Sequence, residues 1–225
     1  MNNTTKKVVI IDYGLGNLFS VERALKHIGA RVEVTSEAEL IIDADYLVLP
    51  GVGAFGDGMN GLREKNLMEP IIEFVESGRP FLGICLGMQL LMTSSEEFGE
   101  HQGLNLVSGR VIRLTEGMER IKIPHVGWNS LIIPGHIRSH KQDEEITKNF
   151  WDNTLLKGIN TGMFVYFVHS YIVVPDDTSN ILAETKYGDN VFCSVLRKGN
   201  IFACQFHPER SGKVGLKIYK QFIRL

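Results

Sequence analysis

Cysteine is scarce: three residues in a chain of 225. An odd number at unrelated spacings makes no disulfide framework and points to a reducing compartment, the cytoplasm. Neither sign of charge is in excess. There are 24 lysines and arginines against 26 acidic residues, a net charge of −2. The basic surface that general nucleic-acid binding needs is therefore missing. Long apolar runs are missing too. Every candidate is cut by glycine, proline or charge, so no membrane-spanning helix is expected. The start, 1–7, is polar and basic, and the apolar stretch 8–11 is far too short for a secretory signal. The sequons at Asn2 and Asn3 mean nothing without secretion. No internal repeat and no low-complexity tract is present.

What is there suits a globular enzyme. Hydrophobic residues make up 44% and charged residues 22%, enough apolar material for one large domain with a sizeable core. The first half alternates strand and helix signals. Residues 8–11 form a continuous β-branched run. Asn17 then caps a helix with apolar positions at Leu18, Val21, Leu25 and Ile28, and Gly29 stops it. Strands are predicted over 31–34, 46–49 and 81–84. A helix is predicted over 58–77, with Pro70 as its weak point, and another after Cys85. This alternation predicts an α/β fold with a mostly parallel sheet flanked by helices. In the second half, 107–114, 164–174, 181–185, 191–196 and 201–206 read as strands separated by turns, which adds an antiparallel section. Residues 212–225 read as a closing helix with Leu216, Tyr219 and Ile223 on one face. Residues 134–153 are polar, of mixed charge and without periodicity, and read as a surface insertion.

The sharpest chemical signal is Gly83-Ile84-Cys85-Leu86-Gly87, after a buried strand and before a helix. A nucleophile elbow needs small flanking residues because its turn is tight and strained. It lifts Cys85 off the sheet at a helix N-terminus, where the dipole favours thiolate. The N–H of Leu86 can then face a developing oxyanion. A buried core cysteine between two glycines is the alternative. The second signal, His207-Pro208-Glu209, also follows a strand. A base oriented by a carboxylate is what a cysteine nucleophile needs. On its own this tripeptide is an ordinary strand-end turn, and it gains weight only beside Cys85. The third, Pro50-Gly51-Val52-Gly53-Ala54-Phe55, lets a peptide turn its N–H toward a substrate oxygen, or is a plain tight turn.

Other signals are weak. Gly14-Leu15-Gly16 begins a dinucleotide-like pattern, but Phe19 stands where the third glycine belongs. Ser211-Gly212-Lys213 lacks the spacing of a phosphate loop. Cys204 and His207 have no second ligand pair for a metal. Cys193 and Cys204 sit in strand patterns and read as core. His136 and His140 read as solvated side chains, and Met88, Leu90 and Leu91 as the packed face of a helix.

Taken together, these motifs resemble the class I glutamine amidotransferases, with a triad at Cys85, His207 and Glu209. Six segments occur in family order. They are 12–18 (DYGLGNL), 50–55, 83–91 (GICLGMQLL), 124–129 (PHVGWN), 166–171 (YFVHSY) and 205–212 (QFHPERSG). They narrow the resemblance to glutaminase subunits that feed a HisF-type (β/α)8 cyclase, which makes imidazole glycerol phosphate and AICAR in histidine biosynthesis. The resemblance covers 1–225 as one amidotransferase domain and implies no cofactor, no metal and no membrane or nucleic-acid partner. It implies that the backbone N–H groups of Val52 and Leu86 form the oxyanion hole. It implies that Gly53, Gln89, Glu97, Ser170 and Tyr171 bind glutamine, and it puts Tyr13, Asn17, Lys122 and Trp128 near a heterodimer interface with the cyclase.

One departure is the long segment 130–163, where the family usually runs quickly from Gly-Trp-Asn to Tyr-Phe-Val-His. It leaves open a paralogue that supplies ammonia for amidino groups on bacterial surface sugars. A non-catalytic subunit would show a broken triad, and all three members are present. A stand-alone cysteine hydrolase would need no docking motifs.

Overall fold

Five strands form the centre of the molecule. In the computed structural model, which describes residues 6–118, 120–138 and 150–225, they are β1 (Lys7–Ile11), β2 (Arg31–Thr35), β3 (Tyr46–Gly51), β4 (Phe81–Cys85) and β13 (Ile201–Cys204). They lie parallel in the order β2-β1-β3-β4-β13. Two antiparallel strands, β12 (Asn190–Lys198) and β11 (Ile181–Tyr187), extend the β13 edge to seven strands. The predicted α/β architecture with an added antiparallel section is what the chain adopts.

The continuous apolar runs follow from burial on both faces. Successive side chains of a strand point to opposite sides. Val8 and Ile10 enter one core, and Val9 and Ile11 enter the other. Tyr46 and Val48 against Leu47 and Leu49 repeat the pattern on β3. The first core is covered by α1 (Leu18–His27) and α7 (Gly212–Phe222), through Val21, Leu25, Ile218 and Phe222. The second is covered by α2 (Ala38–Ile42), α3 (Phe55–Glu64) and α4 (Met68–Glu76), through Ile41, Met59, Leu62 and Phe74.

Local signals explain most boundaries. Asn17 caps α1 by accepting from Ser20 N–H at 3.3 Å, and Gly29 ends it at φ +89°. The helix expected over 58–77 is two helices. It starts at Phe55, and it breaks at Asn66 (φ 55°) rather than at Pro70. Pro70 sits in the first turn of α4, where its missing N–H costs nothing. On α7 the buried face is Gly215, Ile218, Tyr219 and Phe222. Leu216 and Ile223 flank it, half-buried.

The stretch 164–174, expected as one strand, is two. β9 (Phe164–His169) pairs with β8 (His125–Ser130), whereas β10 (Tyr171–Pro175) pairs with β7 (Gly109–Arg113). The chain changes sheet at Ser170. β10 and β7 continue through β5 (Ser94–Ser95) to β6 (His101–Gln102). The expected surface insertion is described only at its ends, with 139–149 and His140 outside the described residues. One end holds α6 (Gly135–Arg138), where His136 is half-buried. The other end is tied to the protein interior. Trp151 is buried, donates Nε1–H to the Leu182 carbonyl at 2.7 Å, and joins the first core with Leu155 and Leu156. Trp151 therefore belongs to the core and not to a solvated loop.

Candidate active site

The strand order brings three chain ends together. Gly51, at the end of β3, is in register with Cys85, at the end of β4. β13 lies on the other side of β4 and leads directly into Gln205, Phe206 and His207. The crevice beyond the C-terminal ends of parallel strands is where open α/β sheets place their ligands.

Cys85 has φ 54° and ψ −109°, a region that non-glycine residues avoid. Its neighbours leave no alternative. A Cβ on Gly87 would lie 1.8 Å from the Leu49 carbonyl oxygen, and one on Gly83 2.9 Å from the Gly87 oxygen. Both glycines of the elbow are required by close backbone approach. The helix that follows, α5 (Leu86–Gln89), is only one turn long. A macrodipole sums over many peptides, so the dipole support expected for Cys85 is small. The electrostatic partner is instead His207.

His207 is anchored at its backbone. Its N–H donates to the Tyr166 carbonyl at 2.9 Å, and its carbonyl accepts from Ser211 Oγ at 2.7 Å. Its Nδ1 is 2.8 Å from Glu209 Oε1, and both side chains are almost wholly buried. A carboxylate accepts, so Nδ1 carries the proton. Nε2 is buried and has no hydrogen-bond partner among the described residues. Burial opposes charging of the ring, but Cys85 and Glu209 together outweigh it and push the pKa up to about 10. The arrangement holds a proton beside the sulfur, the requirement for an activated cysteine.

A cleft of about 310 Å³ opens beside Cys85. All five residues expected to bind glutamine line it: Gly53, Gln89, Glu97, Ser170 and Tyr171. Val52 and Leu86 line it too. Gly53 takes φ +111°, which only glycine adopts readily. Glu97 accepts from Phe55 N–H at 2.6 Å. Burial raises its pKa, against the lowering effect of that hydrogen bond.

The β9–β10 corner carries a polar chain that sequence reasoning missed. The Tyr171 carbonyl accepts from His169 Nδ1–H at 3.0 Å, so His169 Nε2 is an acceptor. It faces His125 Nδ1 at 3.1 Å, and His125 Nε2 faces Asn129 Nδ2 at 3.4 Å. Burial lowers the pKa of His125 to about 4 and, with His125 beside it, that of His169 to about 3. Gln205 was missed as well. It is fully buried, with Nε2 3.7 Å from Cys85 Sγ. Only its place two residues before His207 hinted at it.

The remaining expectations divide. Asn17, Lys122 and Trp128 are exposed, but Tyr13 is not a surface residue. Its hydroxyl lies under Gly51, where a Cβ would meet it at 2.2 Å. Burial and the nearby Cys85 both raise its pKa. Cys193 and Cys204 are core thiols whose pKa values burial raises, whereas Met88, Leu90 and Leu91 pack in the second core.

Residues 9–225 match the family described as "Glutamine amidotransferase class-I". The chain is 47% identical over 221 residues to the imidazole glycerol phosphate synthase subunit HisH 1 of Legionella pneumophila (strain Paris), covering 97% of this chain and 99% of that one. It is 48% identical over 219 residues to the subunit HisH of Aquifex aeolicus (strain VF5), covering 97% and 96%. Among solved structures, PurLQS from Thermotoga maritima aligns with a TM-score of 0.71 at 19% identity, over 98% of this chain and 99% of that one. That last likeness is one of fold.

Proposed function

The chain belongs to the class-I glutamine amidotransferase family, and from that premise we propose how its residues take ammonia from glutamine. It serves as the glutaminase subunit of imidazole glycerol phosphate synthase, with a HisF-type cyclase as partner in histidine biosynthesis. The observation that carries the residue assignment is the strained Cys85, which lines the cleft, beside the buried His207–Glu209 pair.

Cys85 sulfur, as thiolate, attacks the side-chain carbonyl carbon of glutamine, with its proton held on His207 Nε2. The N–H groups of Val52 and Leu86 are assigned to the oxyanion. Collapse breaks the C–N bond, His207 returns the proton to the leaving ammonia, and a glutamyl thioester remains. Water then attacks the thioester with His207 taking its proton. The C–S bond breaks, and glutamate departs. Glu209 keeps the ring in the tautomer that leaves Nε2 toward the sulfur. Gly53, Gln89, Glu97, Ser170 and Tyr171 hold the amino-acid head group.

Free ammonia is protonated at neutral pH and is then no nucleophile, so release into water would waste glutamine. A docked cyclase solves this. Trp128, Asn17 and Lys122 are assigned to its interface, beside exposed Val126 and Phe164. A flip of the Gly51–Val52 peptide, driven by the partner's ligand, is the assigned switch. The three free thiols fit work in the cytoplasm.

The test is glutamate release from glutamine by the purified protein, alone and with the cyclase plus its ribulosyl nucleotide. Strong stimulation is expected. Full activity without the partner would overturn the switch, and no release under either condition would overturn the glutaminase reading.

A further inference from the structure

Gln205 joins the sulfur to the substrate cleft. Its Nε2 lies 3.7 Å from Cys85 Sγ, and its Oε1 is 3.3 Å from Gln89 Nε2. Gln89 Nε2 also donates to the Tyr171 carbonyl at 3.0 Å. A backbone carbonyl can only accept. This end of the chain therefore fixes the direction of both amides. Gln89 must present its NH2 group to Tyr171. One of its protons goes to Tyr171 and the other to Gln205 Oε1. Gln205 is thereby turned with its own NH2 group toward the sulfur. The polar atom left over on Gln89 is its Oε1, an acceptor only, on a residue that lines the cleft.

We infer that Gln205 is a positioning residue: it donates a hydrogen bond to the Cys85 sulfur and, by accepting from Gln89, fixes the direction of the amide already assigned to the head group of glutamine. Two consequences follow. A donor on the sulfur favours its charged form over the neutral thiol. An acceptor pointed at the cleft reads a cationic amino group rather than a carboxylate. An apolar or ionised acidic side chain of this shape cannot do both, because the amide offers a donor and an acceptor together. The inference rests on the reading of Cys85 as nucleophile and of the cleft as the glutamine site.

Two variants separate the halves, each assayed with the cyclase bound. Gln205→Glu keeps the acceptor for Gln89 and loses the donor to sulfur. Gln205→Met keeps the length and loses both. The first readout is the pH profile of Cys85 alkylation by iodoacetamide, followed by peptide mapping. Both variants are expected to move its midpoint up by about one pH unit, the scale of one lost hydrogen bond to a charged group. The second readout compares glutamine with glutaramate, which lacks the α-amino group. The wild type favours glutamine. In Gln205→Met the KM for glutamine is expected to rise about tenfold while that for glutaramate stays nearly constant, and Gln205→Glu keeps the preference.

Equal losses for both substrates would mean a merely structural role and would overturn the inference, as would an unmoved alkylation profile. Should neither variant fold, Gln205→Asn takes their place: it keeps the amide but withdraws it from the sulfur and from Gln89, and an unmoved alkylation profile with an unchanged KM for glutamine overturns the inference. Failure of the wild type to release glutamate would instead sink the functional reading itself. Normal release with an unmoved Gln205→Met sinks this inference alone.

Discussion

The Cys85 elbow and the β9–β10 corner face each other across one cleft, yet they are held by opposite means. The elbow is held by steric necessity. Backbone atoms crowd it so closely that glycine is required on both sides, and Cys85 bears an unfavourable φ. The corner is held by polar satisfaction. Asn129, His125 and His169 form one directed chain that ends on the Tyr171 carbonyl, which also accepts from Gln89. A steric device fails abruptly when an atom is added. A hydrogen-bonded device fails by degrees, and it responds to protons. The proposed nucleophile sits on the rigid side, and two of the residues assigned to hold substrate, Ser170 and Tyr171, sit on the adjustable side.

The largest expected effect breaks the elbow. Gly87→Ala puts a methyl 1.8 Å from the Leu49 carbonyl oxygen. The strands must part to admit it, at a cost of more than about 3 kcal/mol or outright failure to fold. Urea denaturation of the variant measures this. A variant as stable as the wild type would mean that the elbow is not sterically held.

The same region has a test of opposite sign. Cys85→Gly relieves the positive φ that Cys85→Ala retains. The glycine variant is expected to be more stable than the alanine variant by about 1 kcal/mol, read from their unfolding midpoints. Equal stabilities would show that the turn stores no strain.

The corner should respond to acid. His125 and His169 titrate near 6.5 when unfolded, but near 4 and 3 in the fold. Between those values the unfolded chain binds more protons, so the stability these two rings contribute is full above about pH 6.5 and falls as the pH drops toward 4. The slope is at most about 1.4 kcal/mol per pH unit for each ring. His169→Asn removes one contribution and should flatten the slope between pH 6 and 4.5, as measured by urea unfolding at stepped pH. An unchanged slope would mean that His169 is not held neutral.

The same contrast decides what was legible in the sequence. The elbow announces itself because its constraints are local. Gly83, Cys85 and Gly87 lie within five residues, after a strand whose apolar run reflects burial on both faces. His207 and Glu209 are likewise close in the chain. The corner is written across distant segments. His125 and His169 are 44 residues apart, and Gln205 is 116 from Gln89. No periodicity connects them, and only the sheet topology brings them together. The split at Ser170 was hidden for a related reason. Residues 164–174 are strand-formers throughout, and the change of partner from β8 to β7 depends on where those strands lie. The length of α5 was also not legible, since Met88, Leu90 and Leu91 pack as a longer helix would. Tyr13 lies in a motif with interface residues, but its hydroxyl is under Gly51, a contact made only once β1 pairs with β3.

The central claim is that the sterically held cysteine is the nucleophile. The direct measurement is peptide mass spectrometry after acid quench of the cyclase-bound protein turning over glutamine. The expected result is a γ-glutamyl thioester on the peptide carrying Cys85, and none on those carrying Cys193 or Cys204. Turnover with Cys85 unmodified and the adduct on another residue, or continued glutamate release by Cys85→Ala, would contradict the account.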